Sequence, residues 1–173
     1  MSIDKTIAAL HSKSEEEREK IRANAERLLT VGTDQQKADA QAVLDALDEL
    51  TAAEHKALYD RLSGMTVAQR VAEAFKKEPT TETDAKVIKV LMDHPGSTSA
   101  QLSEALGWGA QSWHMHFGNM CAAREVFLWP APLSDARPDK KTMTMILADY
   151  DEASSTWKMK PEVAEAFKAM GLA

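Results

Sequence analysis

The chain has 173 residues, with 21 Lys plus Arg against 27 Asp plus Glu and a formal net charge of -6. That length is one large domain or two small ones, and neither needs a metal or a disulfide to fold. The hydrophobic fraction is 44% and apolar runs are short, which excludes a membrane-spanning helix of about 20 apolar residues and a membrane partner. Net acidity excludes a protein that coats nucleic acid non-specifically, while leaving room for a small local DNA-reading surface. The start, MSIDKTIAALHSKSEEE, lacks the apolar h-region of a signal peptide, and the single Cys121 cannot form an intrachain disulfide. A reducing, cytoplasmic setting is therefore expected.

Residues 1–80 contain two aromatic residues, Tyr59 and Phe75, and no proline before Pro79; the other eight aromatics and five further prolines follow. The polar stretch Pro79-Thr80-Thr81-Glu82-Thr83 is therefore the predicted boundary between a helical region, 1–78, and a second domain, 84–173. In the first region Ser14-x-x-Glu17, Thr51-x-x-Glu54 and Thr66-x-x-Gln69 have capping-box spacing, and Gly32 and Gly64 supply stops. Helices are predicted near 14–31, 34–50, 52–62 and 67–77, with a turn at 3–11. The charge run Glu15 to Lys20 reads as a solvated helix face. Apolar positions Ile21, Ala25, Leu28, Leu29 and Val43, Leu44, Leu47, Leu50 form narrow, coiled-coil-like stripes. Stripes this thin rarely close a core alone, so a homodimer through residues 14–62 is expected, with a protein partner at the same surface as the alternative.

The second region has a different grammar. Thr83 or Asp84 can cap a helix carrying Val87, Ile88, Val90 and Leu91, which ends at Pro95-Gly96. Thr98-x-x-Gln101 opens another helix with Leu102, Ala105 and Leu106. Gly107-Trp108-Gly109 has the length of a tight turn joining two helices at a steep angle, and a helix from Ala110 to about Arg124 follows. Next come a strand near Phe127 to Trp129, a proline-containing loop, an alternating strand at 142–147 and a second alternating segment, Ser155 to Lys160. Pro161 suits the first turn of a closing helix with Val163, Ala164, Phe167 and Met170.

This order of helix, helix, glycine turn, helix and small antiparallel sheet resembles the winged helix-turn-helix superfamily over residues 84–160. The resemblance implies that helix 110–124 enters the major groove while a hairpin loop touches the backbone. The expected fold is thus mainly α: an N-terminal helical dimerisation region and a C-terminal winged helix-turn-helix with a small antiparallel β-sheet.

At about 100° per residue, Ala110, Trp113, Phe117, Met120 and Cys121 fall on one side of that helix. Gln111, Ser112, Met115, His116, Asn119, Ala122 and Ala123 fall on the other. The second face suits base reading, because Gln and Asn can bond adenine through two contacts, Ser serves as donor or acceptor, and Met can touch a thymine methyl. No Asp or Glu occurs between Glu104 and Glu125 to repel phosphate. The predicted loop between the strands carries Arg137, Lys140 and Lys141, although Asp135 and Asp139 reduce its net charge to about +1. The acidic run Asp149-Tyr150-Asp151-Glu152 is expected at the opposite end of a three-stranded meander, away from phosphate.

Other chemistry was sought. His114-x-His116 with Cys121 has poor metal-ligand spacing, since His114 and Cys121 lie about 10 Å apart along the axis. Gly107-x-Gly109-x-x-Ser112 joins two helices and lacks the strand that precedes a dinucleotide-binding turn. The four tryptophans read as core residues. No catalytic, metal or cofactor motif is expected. The sequence points to a homodimeric regulator that binds double-stranded DNA, with a protein-interaction adaptor as the alternative.

Overall fold

The computed structural model describes residues 3–134 and 137–172. The chain forms two compact units that divide between Ser63 and Gly64, ahead of the boundary expected at Pro79. Among the described residues, no helix is long and apolar enough to cross a membrane.

The first unit consists of α1 (Ile3–Ala9), a 3-10 turn (Leu10–Ser12), α2 (Glu15–Val31) and α3 (Asp34–Ser63). Ser14 and Glu17 form the expected capping box, each side chain accepting from the other's backbone N–H. The expected break at Thr51 does not occur, and α3 is continuous. Thr51 Oγ1 instead donates to the Leu47 carbonyl one turn back, at 2.8 Å, while Glu54 pairs with Arg18 at 2.8 Å. The capping box at the start of α3 belongs to Thr33 and Gln36. Leu10, Ala25, Ala40, Val43, Leu44, Leu47 and Leu50 are buried together, with Ile3, Ile7, Ile21 and Leu28 against them. The stripe residues are thus buried or partly buried within one chain.

The second unit begins with α4 (Val67–Lys77), capped by Thr66 and Gln69 as expected. Its Val71, Ala74 and Phe75 enter the core of this unit, where Phe75 meets Phe167 edge to face at 5.1 Å. Helix α5 (Glu82–Asp93) is capped by Thr81 with Asp84 as the reciprocal partner, two residues ahead of the expected cap at Thr83. Helix α6 (Ser99–Ala105) has the predicted Thr98–Gln101 box. Helix α7 (Ser112–Ala122) follows the glycine turn, and α8 (Pro161–Ala169) closes the chain.

The sheet differs from the expected meander. Residues 127–129 form no strand: tight turns continue from α7, with Phe127 and Leu128 N–H both donating to the Arg124 carbonyl at 3.0 Å. Met143–Ile146 is a 3-10 turn instead of a strand. Thr144, Ile146, Leu147 and Ala148 are all buried, and a period-2 strand with one buried face cannot bury consecutive positions. Two separate antiparallel hairpins result: β1 (Leu133–Ser134) with β2 (Arg137–Lys141), and β3 (Ala148–Asp151) with β4 (Thr156–Met159). The acidic run lies mostly within β3, so the expectation that it caps the far end of a meander does not hold. Ser97, between α5 and α6, forms an antiparallel bridge with Trp157 of β4.

Candidate nucleic-acid interface

Helix α7 is held by the turn before it and by the core behind it. Gly107 adopts a positive φ of 69°, a conformation that costs glycine little. Ala110 adopts φ 51°, which an L-residue tolerates only with strain. The Ser103 carbonyl accepts from Trp108 N–H at 2.8 Å. Ser103 Oγ accepts from Trp113 N–H at 3.0 Å and donates to the Ser99 carbonyl at 2.8 Å. One buried hydroxyl thus satisfies an N–H at the start of α7 and ties that start to α6. Trp113 Nε1–H donates to the Val87 carbonyl of α5 at 3.0 Å, so all three helices share this connection.

The buried side of α7 contains Trp113, Phe117, Met120 and Cys121, as the helical period predicts. Ala110, assigned to the same side, lies before the helix and is exposed. Cys121 is a fully buried core residue, and that burial pushes its thiol above the usual range. His114 packs against the Trp157 ring at 5.2 Å. Among the described residues, no group of three His, Cys, Asp or Glu side chains could hold a metal ion.

The opposite side divides into two sets. Gln111, Met115 and Asn119 are exposed, Met115 to 55%. Gln111 occupies the N-cap position without using its side chain as a cap. Ser112 and His116 are half-buried: Ser112 Oγ donates to the Gly109 carbonyl at 2.6 Å, and His116 lies against the Trp108 ring at 4.8 Å. Both have roles in shaping the turn. Beside Asn119, a shallow cleft of about 350 Å³ opens between α7 and the start of α5, with Thr81, Thr83 and His116 in its walls.

Arg124, at the end of this stretch, has a role that the sequence reading missed. Its side chain is 3% exposed and donates to the carbonyls of Met120, Glu78 and Pro79 and to the Asp84 carboxylate, the last at 2.9 Å. Its guanidinium also stacks over Phe75 at 4.3 Å. It pins the end of α7 to the segment preceding α5.

Of the three expected cations, only the Lys141 side chain is among the described ones. Lys141 is exposed and pairs with Glu125 at 3.0 Å, and this hydrogen bond holds Glu125 below the usual carboxylate range. Arg137 and Lys140 belong to β2, but their side chains lie outside the described ones, as does residue Asp135. In the β3–β4 turn, Asp151 accepts from Ala153 N–H at 3.0 Å and from Ser154 Oγ at 2.6 Å. The Ser154 bond, with the backbone, keeps its carboxyl below the usual range.

No known protein family, curated protein or solved structure matches the chain.

Proposed function

We propose that the second unit is a double-stranded DNA-binding module of winged helix-turn-helix type, acting as a transcriptional regulator with α7 in the major groove. The observation that carries this reading is the outward face of α7. Gln111, Met115 and Asn119 project there without a carboxylate anywhere between residues 110 and 124. The α6–turn–α7 frame supports it, as does the bridge from Ser97 to Trp157, which joins the segment between α5 and α6 to the β3–β4 hairpin. In this reading the β1–β2 hairpin, with Arg137, Lys140 and Lys141, supplies backbone contacts. In the Lys141–Glu125 pair the lysine is exposed and the carboxylate half-buried, and pairs at a surface contribute about 0–1 kcal/mol, so exchanging Glu125 for phosphate costs little.

Few cations are involved, so one protomer neutralises few phosphates and its affinity depends weakly on salt. Binding as a homodimer doubles the footprint and makes the preferred site approximately palindromic. Selection from a pooled random duplex library, at low and at physiological salt, tests the reading. An enriched motif is expected; no enrichment at either salt would sink it. Asn119→Ala should relax base preference, whereas Lys140→Ala should weaken all duplexes about equally. A single, non-palindromic half-site, with a monomer by light scattering, would remove the dimer and leave base reading intact.

A second reading, a protein-interaction adaptor, is favoured by the exposure of Val126 (65%) and Leu133 (60%) along with Met115. Aliphatic and Met side chains at a surface suit a protein partner better than phosphate.

A further inference from the structure

We infer that the face of α7 reads A·T base pairs and rejects guanine at the positions it contacts. This rests on the duplex-reading proposal above and narrows it to a class of site. In the major groove guanine presents two acceptors, N7 and O6, and is matched by a side chain with two donors, Arg or Lys. Adenine presents an acceptor and a donor, N7 and the N6 amino group, and is matched by a side chain that has both, Asn or Gln. Thymine adds a methyl group, which favours an apolar contact.

The outward face of α7 has the second and third kinds of group and lacks the first. Gln111 and Asn119 are exposed amides, and neither side chain makes a hydrogen bond among the described residues. Met115 lies between them. The stretch 110–124 contains one Arg or Lys, Arg124, which the fold buries among the Met120, Glu78 and Pro79 carbonyls and Asp84. Its withdrawal could not be read from helical periodicity. The two histidines do not replace it, because one packs on Trp157 and the other on Trp108.

Spacing sharpens the expected site. Gln111 and Asn119 are eight residues apart, about 12 Å along a helix rising 1.5 Å per residue. On a duplex axis parallel to the helix that distance spans between three and four base-pair steps of about 3.4 Å, and fewer at any tilt. Two adenines separated by no more than that interval, with a thymine methyl between them under Met115, form the predicted pattern.

The test uses the full chain. A motif is first selected from random duplex DNA, and then remade with 7-deazaadenine in place of adenine, which removes N7, or with deoxyuridine in place of thymidine, which removes the methyl. The expected motif has A·T pairs at the positions whose preference is lost in Asn119→Ala or Gln111→Ala. There, 7-deazaadenine should weaken the unaltered protein roughly tenfold or more and have no further effect on the matching alanine variant. Deoxyuridine at the central position should cost about fourfold, and nothing further in Met115→Ala. All three replaced side chains are exposed, so the variants should keep the unaltered fold. A fixed guanine at an Asn119- or Gln111-dependent position would overturn the inference while leaving duplex reading in place. An A·T motif indifferent to 7-deazaadenine would overturn it too, since the preference would then come from DNA shape. No enriched motif would overturn both proposals.

Discussion

The buried core of the first unit, among the described residues, consists of seven aliphatic side chains, Leu10 to Leu50, without an aromatic ring. That of the second is built on Trp113, Phe117, Phe167 and Trp157 and encloses polar groups as well: Asp84, Ser99, Ser103, Arg124 and Thr144 are all buried. In the first unit, the polar contacts that could distinguish one helix register from another are the ion pairs Arg18–Glu54 and Arg22–Asp48 and a part-buried bond from Arg18 to the Leu10 carbonyl, and pairs near the surface contribute little. In the second, each buried polar group apart from the Thr144 hydroxyl has partners, and any shift of a helix would leave those partners unmet at a cost of roughly 1–3 kcal/mol each. Aliphatic stripes are thus enough for a helical hairpin, while the helices of the second unit are held in place by polar groups inside as well.

The sharpest way to break this comparison is to remove the buried cation. Arg124→Met takes the cationic partner from Asp84, which keeps only the Thr81 N–H, and a donor from three carbonyls, and should cost about 3–5 kcal/mol. All four tryptophans lie in the second unit, so the loss should appear in the urea midpoint of tryptophan fluorescence. An unchanged midpoint would show that Arg124 is not needed to hold α7. The counterpart in the first unit is Leu47→Ala, expected to cost about 2–3 kcal/mol because only a small core surrounds the cavity. Far-UV circular dichroism should register it, while the tryptophan transition stays in place. Equal shifts by both probes would mean that the units unfold together.

Smaller effects test finer points. Thr33→Ala removes the cap of α3 and should cost about 1 kcal/mol, whereas Thr51→Ala should change stability by no more than about 0.5 kcal/mol. Equal costs would restore a helix start at Thr51. Ala110→Gly should relieve the left-handed strain before α7 and stabilise the second unit by about 0.5–1 kcal/mol; a clear loss would show that chain entropy dominates there.

The smallest effect concerns Glu17, whose pKa falls from its ordinary 4.5 to about 2 through hydrogen bonds from Lys13 and from the Ser14 backbone. A carboxylate with a depressed folded-state pKa contributes its stabilisation above the unfolded value, and loses it as pH falls through the folded one. Acid should therefore weaken the first unit between about pH 4.5 and pH 2, and Glu17→Gln should flatten that part of the titration. A titration of the same shape in both proteins would remove Glu17 as the cause.

Local chemistry was the most legible part of the fold. The boxes at Ser14, Thr66 and Thr98 and the turn at Gly107 are each contained within a few residues, and they form as expected. The Thr81 cap lies outside the Glu/Gln pattern because its partner is Asp84, and at the start of α3 the Thr33–Gln36 box directly follows the stop at Gly32. Thr51 shows the converse: its spacing fits, but the stripe from Val43 to Leu50 lies on one face and Thr51 bonds back into the same helix. The strand expected at 142–147 failed because alternation in a six-residue window cannot reveal that Ile146, Leu147 and Ala148 are all buried.

The site was legible in part for the same reason. A 100° period is enough to turn Gln111, Met115 and Asn119 outward. It cannot place Ser112 or His116, whose partners Gly109 and Trp108 come from the turn. Nor can it locate Arg124, whose carboxylate partner is 40 positions away in the chain.

The Ser103 hydroxyl, bonded in both directions inside the protein, has a consequence for how this molecule can change. The buried side chains that orient α7, Ser103, Trp113 and Arg124, are distinct from the exposed Gln111, Met115 and Asn119. The frame of α7 and its exposed side chains are therefore carried by different residues. Randomising positions 111, 115 and 119 together should yield mostly folded proteins, so the outward chemistry of this helix can change without rebuilding the frame that presents it.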